Sequence, residues 1–74
     1  MTLDQLPIGR GARVVRLMPD CPLRDRLQDL GVTPGREVTA LMRSPLCDPT
    51  AYLICGAVIA LRREDAASVE IRTE

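Results

Sequence analysis

The chain has 74 residues, which is enough for one small hydrophobic core and too few for an enzyme built around a cleft between two lobes. Hydrophobic residues make up 46% of it and Tyr52 is its one aromatic residue, so we expect an aliphatic core. Ten arginines, no lysine and ten acidic residues give a formal net charge of zero. This balance argues against nucleic acids and anionic membrane surfaces as the main partners.

The chain is poor in the residues that enzymes and metal sites use. It has no histidine, which is the usual general base near neutral pH and the usual neutral metal ligand. Its cysteines, Cys21, Cys47 and Cys55, lack the paired spacing of a disulfide set or of a C-x-x-C site. We therefore expect a reducing compartment, with Cys55 in the core and the other two as partly exposed free thiols. We expect no catalytic residue, no cofactor and no metal site.

Targeting signals are not evident in the sequence. Met1 to Arg10 lacks a basic segment followed by an apolar one, so secretion through a signal peptide is not supported. The longest apolar stretch, Ala51 to Leu61, is well short of the roughly 20 residues that a spanning helix needs. We expect one cytoplasmic domain over residues 1–74, without insertion into a membrane.

The first residues predict a helical turn and then a strand. Thr2 and Gln5 have the spacing of a capping box, which favours a single turn of helix. The β-branched run from Ala12 to Leu17 is typical of a strand. Val14 and Leu17 are three residues apart, so both can face the core only if this strand bulges.

The sequence predicts one helix, from Cys21 to Leu30. Asp20 suits the N-cap position, and Gly31 suits the left-handed position after the last turn. Leu23, Leu27 and Leu30 recur at i, i+4 and i+7. A helix this short must be packed on a sheet to be stable.

A turn and a strand should follow this helix. Thr33 to Arg36 places Pro and Gly at the centre of a type II turn. In the strand after it, the alternation predicts Val38, Ala40 and Met42 on the inner face and Leu41 on the outer face. Two prolines then predict a loop from Ser44 to Pro49.

The last third of the chain predicts a hairpin, a helical turn and a strand. Ala51 to Leu61 fits either one buried helix or two strands, and Gly56 near its centre favours the hairpin. Arg62 to Ala67 predicts a polar helical turn, and Val69 and Ile71 alternate with polar residues in a final strand.

These elements predict a mainly β fold, a small SH3-like barrel of about five antiparallel strands with one short inserted α-helix. The predicted core contains Val14, Leu17, Leu27, Leu30, Val38, Ala40, Ile59, Leu61, Val69 and Ile71.

Several motifs follow one another at characteristic spacing. They are Leu3-x-x-Leu6, Gly11, Val14, Arg26-Leu27-x-x-Leu30-Gly31-Val32-x-Pro34-Gly35-x-x-Val38, Pro45-Leu46-Cys47-Asp48-Pro49, Gly56 and Ala60-Leu61-Arg62-Arg63-Glu64-x-Ala66. Together they resemble the ferrous iron transport protein A (FeoA-like) family. In that family the loop usually reads Pro-Leu-Gly-Asp-Pro, and Cys47 stands where the glycine would be.

The resemblance implies a small cytosolic SH3-like protein that is not an enzyme and supports ferrous iron uptake. Its implied partner is the membrane GTPase transporter FeoB, through the cytosolic parts of that protein. Two alternatives stay open: a metal-dependent regulatory domain related to the C-terminal barrels of iron-dependent repressors, and a weak metal carrier. The oligomeric state is not predicted.

A partner-binding surface is expected around the proline-bracketed loop. Pro45 and Leu46 lie in this loop and Tyr52 just after it, so Leu46 and Tyr52 either are exposed and contact the partner or cap the core. Arg24, Arg26 and Arg43 are candidates for ion pairs with the partner's carboxylates.

Overall fold

The structure is a computed structural model, which describes residues 1–46 and 48–73. After a 3₁₀ turn at Leu3–Gln5, the chain forms five strands and two short helices. The strands are β1 (Gly11–Leu17), β2 (Glu37–Arg43), β3 (Thr50–Ile54), β4 (Ala57–Leu61) and β5 (Val69–Thr73). The helices are α1 (Arg24–Asp29) and α2 (Arg63–Ala66). Cys47, where the loop departs from the family pattern, lies outside the described residues.

The strands form one antiparallel sheet in the order β4-β3-β2-β1-β5. Strands β4 and β5 are its two edges, so the sheet bends without closing, and the predicted SH3-like fold is confirmed. The predicted hairpin is also confirmed, because β3 and β4 are joined by a two-residue turn at Cys55 and Gly56. Both turn residues have positive φ, 52° and 78°, as a type I′ hairpin turn requires.

Two register shifts decide which side chains reach the core. In β1 the shift lies between Val14 and Arg16, and it lets Val14 and Leu17 both face inward, as predicted. In β2 a second shift lies between Ala40 and Met42. It turns Met42 outward, where 63% of the residue is exposed, so the prediction that Met42 faces inward is wrong.

Helix α1 is shorter than the predicted helix, because its first part is a pair of turns. The N–H of Cys21 bonds to the carbonyl of Met18 at 3.1 Å, and the N–H of Arg24 to that of Cys21 at 3.2 Å. Leu23 has non-helical angles, so Asp20 is not the N-cap. The predicted stop is confirmed: Gly31 has φ +99°, and the N–H of Val32 bonds to the carbonyl of Leu27 at 2.9 Å, which is a Schellman motif.

The core is aliphatic, with Tyr52 as its one aromatic member. Eight of the ten predicted core residues are buried; Ile59 is partly buried, and Leu30 is 36% exposed. Both cysteine predictions that can be compared are wrong, since Cys21 is buried and Cys55 is exposed at the tip of its hairpin turn. Further buried residues that the predicted core did not include are Leu3, Leu6, Ala12, Val32, Ile54 and Ala66.

The 3₁₀ turn holds the chain's first residues against the sheet. The N–H of Thr2 donates to Gln5 Oε1 at 3.1 Å, which confirms the capping box, and the N–H of Ile71 donates to the carbonyl of Met1 at 2.8 Å. No helix among the described residues is both long and apolar enough to cross a membrane.

Candidate functional site

The loop between β2 and β3 presents the most exposed large apolar side chain of the described residues. Leu46 is 88% exposed, and Pro45 beside it is also exposed. A leucine contributes to stability when it leaves water, and Leu46 contributes little to the core in this position. The alternative that Leu46 caps the core is therefore wrong.

Tyr52 lies below this loop and inside the fold. It pairs with Ala40 of β2 and Ile59 of β4, and its side chain points to the inner face of the sheet, with 2% of the residue exposed. Its hydroxyl donates to the carbonyl of Leu3 at 3.4 Å. Of the two alternatives for Tyr52, exposure is wrong and a place in the core is confirmed, because β3 alternates and Leu53 takes the outer face instead.

Hydrogen bonds tie the loop to itself and to helix α2. The hydroxyl of Ser44 accepts from the N–H of Asp48 at 3.1 Å, and the N–H of Ser44 donates to the carbonyl of Pro49 at 3.1 Å. Asp48 Oδ1 accepts from the N–H of Arg63, the first residue of α2, at 2.8 Å. Asp48 Oδ2 lies 4.0 Å from the guanidinium of Arg62. Leu46 is thus exposed on a loop whose base is held in place.

A groove lies between α1, the edge strand β4 and α2. Its volume is about 220 Å³, and its lining includes Leu23, Arg26, Leu30, Ile59, Arg62 and Asp65. The exposed part of Leu30 belongs to this groove, because α1 covers the core with Leu27 and leaves Leu30 at its margin. The heptad-like spacing of the three leucines could not separate these two positions, since it reports only that they share one side of a helix.

The groove and the loop are neighbours on one surface. Arg62 lines the groove and also lies near Asp48 of the loop. Of the three arginines predicted to contact a partner, Arg26 lines the groove, whereas Arg24 and Arg43 are exposed and are not among the groove's lining residues. The structure therefore places Leu30 and Arg26 at the groove and Leu46 on the loop that Arg62 links to it, and it buries Tyr52.

A second cavity lies at the base of the loop, where β2 ends and β3 begins. It has a volume of about 310 Å³ and is lined by Asp4, Arg43, Thr50, Tyr52 and Arg63. Burial raises the pKa of Tyr52 above its ordinary value of 10.0; a hydrogen bond with Thr50 and the charge of Arg43 oppose the shift, and Asp4 adds to it. The phenol is therefore neutral at physiological pH.

The described residues provide little for metal binding. Among residues 1–46 and 48–73, no three cysteine, aspartate or glutamate side chains lie close enough together to hold a metal ion. Cys21 is buried, and Cys55 is exposed at the hairpin turn, where its Sγ lies 3.7 Å from the carbonyl oxygen of Gly31. An exposed thiol of this kind can still react or bridge molecules.

The chain matches one family model and a curated relative. The model of the FeoA domain family matches residues 1–73. A curated relative from Porphyromonas gingivalis, a fusion of Fe(2+) transport protein A with the Fe(2+) transporter FeoB, is 37% identical over 71 residues, which are 96% of this chain and 8% of that protein. The chain thus spans less than a tenth of the curated relative that it matches.

Solved structures show the same fold. The FeoA protein of Chlorobium tepidum is 30% identical, with a TM-score of 0.90 over 99% of this chain and 70% of that one. FeoA of Stenotrophomonas maltophilia, an SH3 domain protein solved in complex with zinc, is 28% identical, with a TM-score of 0.86 over 97% of this chain and 89% of that one.

IdeR of T. acidophilum contains a similar domain. It is 18% identical, with a TM-score of 0.80 over 100% of this chain and 34% of that one, and this likeness shows the fold alone. The family match over almost the whole chain and the FeoA relatives lead to one conclusion: this chain belongs to the FeoA domain family.

Proposed function

We propose that this chain is a non-enzymatic accessory module that binds the cytosolic parts of the ferrous iron transporter FeoB. The observation that carries the proposal is the surface formed by Leu46 and the α1–β4–α2 groove, which offers apolar side chains on a rigid base. The fusion of the two proteins in the Porphyromonas gingivalis relative supports it, since fusion keeps functional partners at high effective concentration.

The composition of this surface suits contact with a protein. Leu46 and Leu30 are the apolar contacts, and Arg26 and Arg62 supply charges at the margin of the groove. Buried apolar residues near the centre of an interface typically cost more than about 1 kcal/mol of binding when truncated, whereas exposed charges at its rim cost little. We therefore expect the two leucines to supply most of the binding affinity. Arg26, Arg62 and the exposed Arg24 of α1 should mainly make the binding depend on salt concentration.

The test is a calorimetric titration of this protein with the soluble GTPase domain of its transporter, with and without nucleotide. Leu46→Ala and Leu30→Ala should each weaken binding by about tenfold, which corresponds to about 1.4 kcal/mol. Val58→Ala is the matched control, because Val58 is an exposed apolar residue that does not line the groove. It should bind like the wild-type protein.

The salt dependence of binding tests the charged part of the same surface. Arg24→Ala should alter the salt dependence of binding and change the affinity at physiological salt only slightly. Each variant is compared with the wild type by thermal unfolding, so that a loss of fold is not mistaken for a loss of contact. Equal affinities for Leu46→Ala, Leu30→Ala and wild type would remove this surface from the proposal, and no binding by the wild type would remove the GTPase domain as its partner.

Metal-dependent regulation is the second candidate function. It is favoured by the zinc complex of the Stenotrophomonas maltophilia relative. Repeating the titration with Fe²⁺ or Zn²⁺ separates the two candidates, because a metal-dependent regulator should change its affinity for the partner by at least tenfold, about 1.4 kcal/mol of coupling.

A further inference from the structure

The cavity at the base of the loop is lined by two arginines and one acidic residue. Arg43 is the last residue of β2 and Thr50 the first of β3, and the two pair directly below the loop. Arg63 enters from the first turn of α2. Within residues 1–46 and 48–73, neither guanidinium has a carboxylate partner within 4.0 Å.

The one acidic residue of the cavity has another partner. Asp4 Oδ1 accepts a hydrogen bond from the hydroxyl of Thr2, within the first turn of the chain. The lining residues carry two guanidinium groups and one carboxylate. The nearby carboxylate of Asp48, whose charge also acts on Tyr52, is balanced by the guanidinium of Arg62 at 4.0 Å, so one net positive charge is left at the cavity. The hydroxyls of Thr50 and Tyr52 add polar groups at its buried side.

We propose that this cavity binds a carboxylate, supplied by an acidic side chain of the protein segment that packs on Leu46. This proposal rests on the proposed function for its partner, and on the cavity alone for its chemistry. Guanidinium groups pair with carboxylates through charge-assisted hydrogen bonds that are stronger than neutral ones. One net positive charge matches a carboxylate, whereas a phosphate monoester carries about −1.5 to −2 at pH 7.

The position of the cavity links it to the loop. Asp48 bonds to the backbone N–H of Arg63, so the residue that fixes the loop also fixes one arginine of the cavity. A segment lying across Pro45 and Leu46 can therefore place an acidic side chain between Arg43 and Arg63. The apolar contact on the loop supplies affinity, and the carboxylate selects segments in which an acidic residue follows the apolar one at short distance.

The first experiment needs no transporter. Isotope-labelled protein is titrated with N-acetyl-glutamate amide, and the backbone amide shifts are followed by NMR; inorganic phosphate is the comparison ligand. We expect weak saturable shifts confined to residues around Arg43, Thr50 and Arg63, with phosphate binding less tightly. The double variant Arg43→Gln/Arg63→Gln should lose them. The control Arg10→Gln/Arg72→Gln removes the same charge from exposed positions outside the cavity and should keep them.

Unsaturable shifts, or shifts that persist in Arg43→Gln/Arg63→Gln, would overturn the carboxylate site. Tighter binding of phosphate than of the glutamate ligand would overturn the choice of carboxylate.

The second experiment tests the partner. With the transporter's GTPase domain, Arg43→Gln/Arg63→Gln should bind at least tenfold more weakly than wild type, and Arg10→Gln/Arg72→Gln should bind equally well. If the wild type binds and both double variants match it, the inference is wrong while the proposed function stands. If the wild type does not bind the GTPase domain, the proposed function fails for that domain, and the glutamate titration still decides the chemistry of the cavity.

Discussion

The Cα of Gly31 lies against the side chain of Cys55, so that a Cβ added at Gly31 would stand 2.7 Å from Cys55 Sγ and 3.3 Å from its Cβ. Gly31 ends helix α1, and Cys55 begins the turn between β3 and β4. This contact joins the C-terminal end of helix α1 to the turn between β3 and β4.

Gly31→Ala should be strongly destabilising, for two separable reasons. Its φ of +99° strains any residue with a Cβ, at a cost of about 1–3 kcal/mol, and the contact with Cys55 adds to it. Gly35→Ala is the matched control, because Gly35 has φ +89° and nothing within 4 Å of an added Cβ. Urea unfolding should show a larger loss of the free energy of unfolding for Gly31→Ala than for Gly35→Ala. Adding Cys55→Ala to the Gly31→Ala variant should bring its loss closer to that of Gly35→Ala. Equal losses for the two glycine variants would show that the contact with Cys55 carries no energy.

Leu27→Ala and Leu30→Ala should differ although both leucines lie on one helix. Leu27 is 0% exposed, so its truncation should cost about 2–5 kcal/mol. Leu30 lies at the margin of the groove, and its truncation should cost less than about half as much because part of the side chain already contacts water. Chemical denaturation of both variants measures the difference. Similar losses would mean that α1 packs deeper than the structure shows.

Asp48→Ala should destabilise the domain by about 0.5–2 kcal/mol, the usual cost of removing an acceptor from the first turn of a helix. Asp48 Oδ1 accepts from the N–H of Arg63, whereas the side chain of Arg62, the N-cap residue of α2, makes no capping hydrogen bond. Asp48→Asn keeps an acceptor and should cost less. Thermal unfolding of both variants tests this order, and a stability of Asp48→Ala equal to that of wild type would contradict it.

Stability should fall at alkaline pH through Tyr52. Burial raises the pKa of Tyr52 in the folded protein above 10.0, so its contribution is fully present below that value. It is lost as the pH rises through the folded pKa, because the unfolded chain ionises first. Urea unfolding from about pH 8 to about pH 11 should show a decline for the wild type that is shallower in Tyr52→Phe. Parallel curves for the two proteins would mean that the pKa of Tyr52 is the same in both states.

Metal binding by the reduced protein should be weak and without defined stoichiometry. The chain has no histidine, and its cysteines lack paired spacing. Calorimetric titration with Zn²⁺ or Fe²⁺ under anaerobic conditions measures this. One tight site per chain that Cys21→Ser or Cys47→Ser abolishes would prove the prediction wrong.

The sequence by itself determined the order and type of the elements. Gly31, Pro34 and Gly35 end the helix and turn the chain, because glycine takes the positive φ that other residues avoid and proline has its φ fixed. Gly56 marks the hairpin because it too has positive φ. These are local constraints, acting within a few residues, so a single sequence is enough to recognise them. The motifs that resemble the FeoA family include these positions.

Only the tertiary structure decided which apolar residues are exposed. Met42 turns outward because β2 shifts register against β3, and Tyr52 turns inward because its partners on β2 and β4 face the core. Leu30 lies at the margin of the groove, and Arg43 and Arg63 line one cavity although they are 20 positions apart, because β3, β4 and the loop bring their elements together. Register shifts and element packing depend on contacts between distant parts of the chain. The spacing of apolar residues indicated the shift in β1, but the alternation in β2 did not reveal the shift that turns Met42 outward.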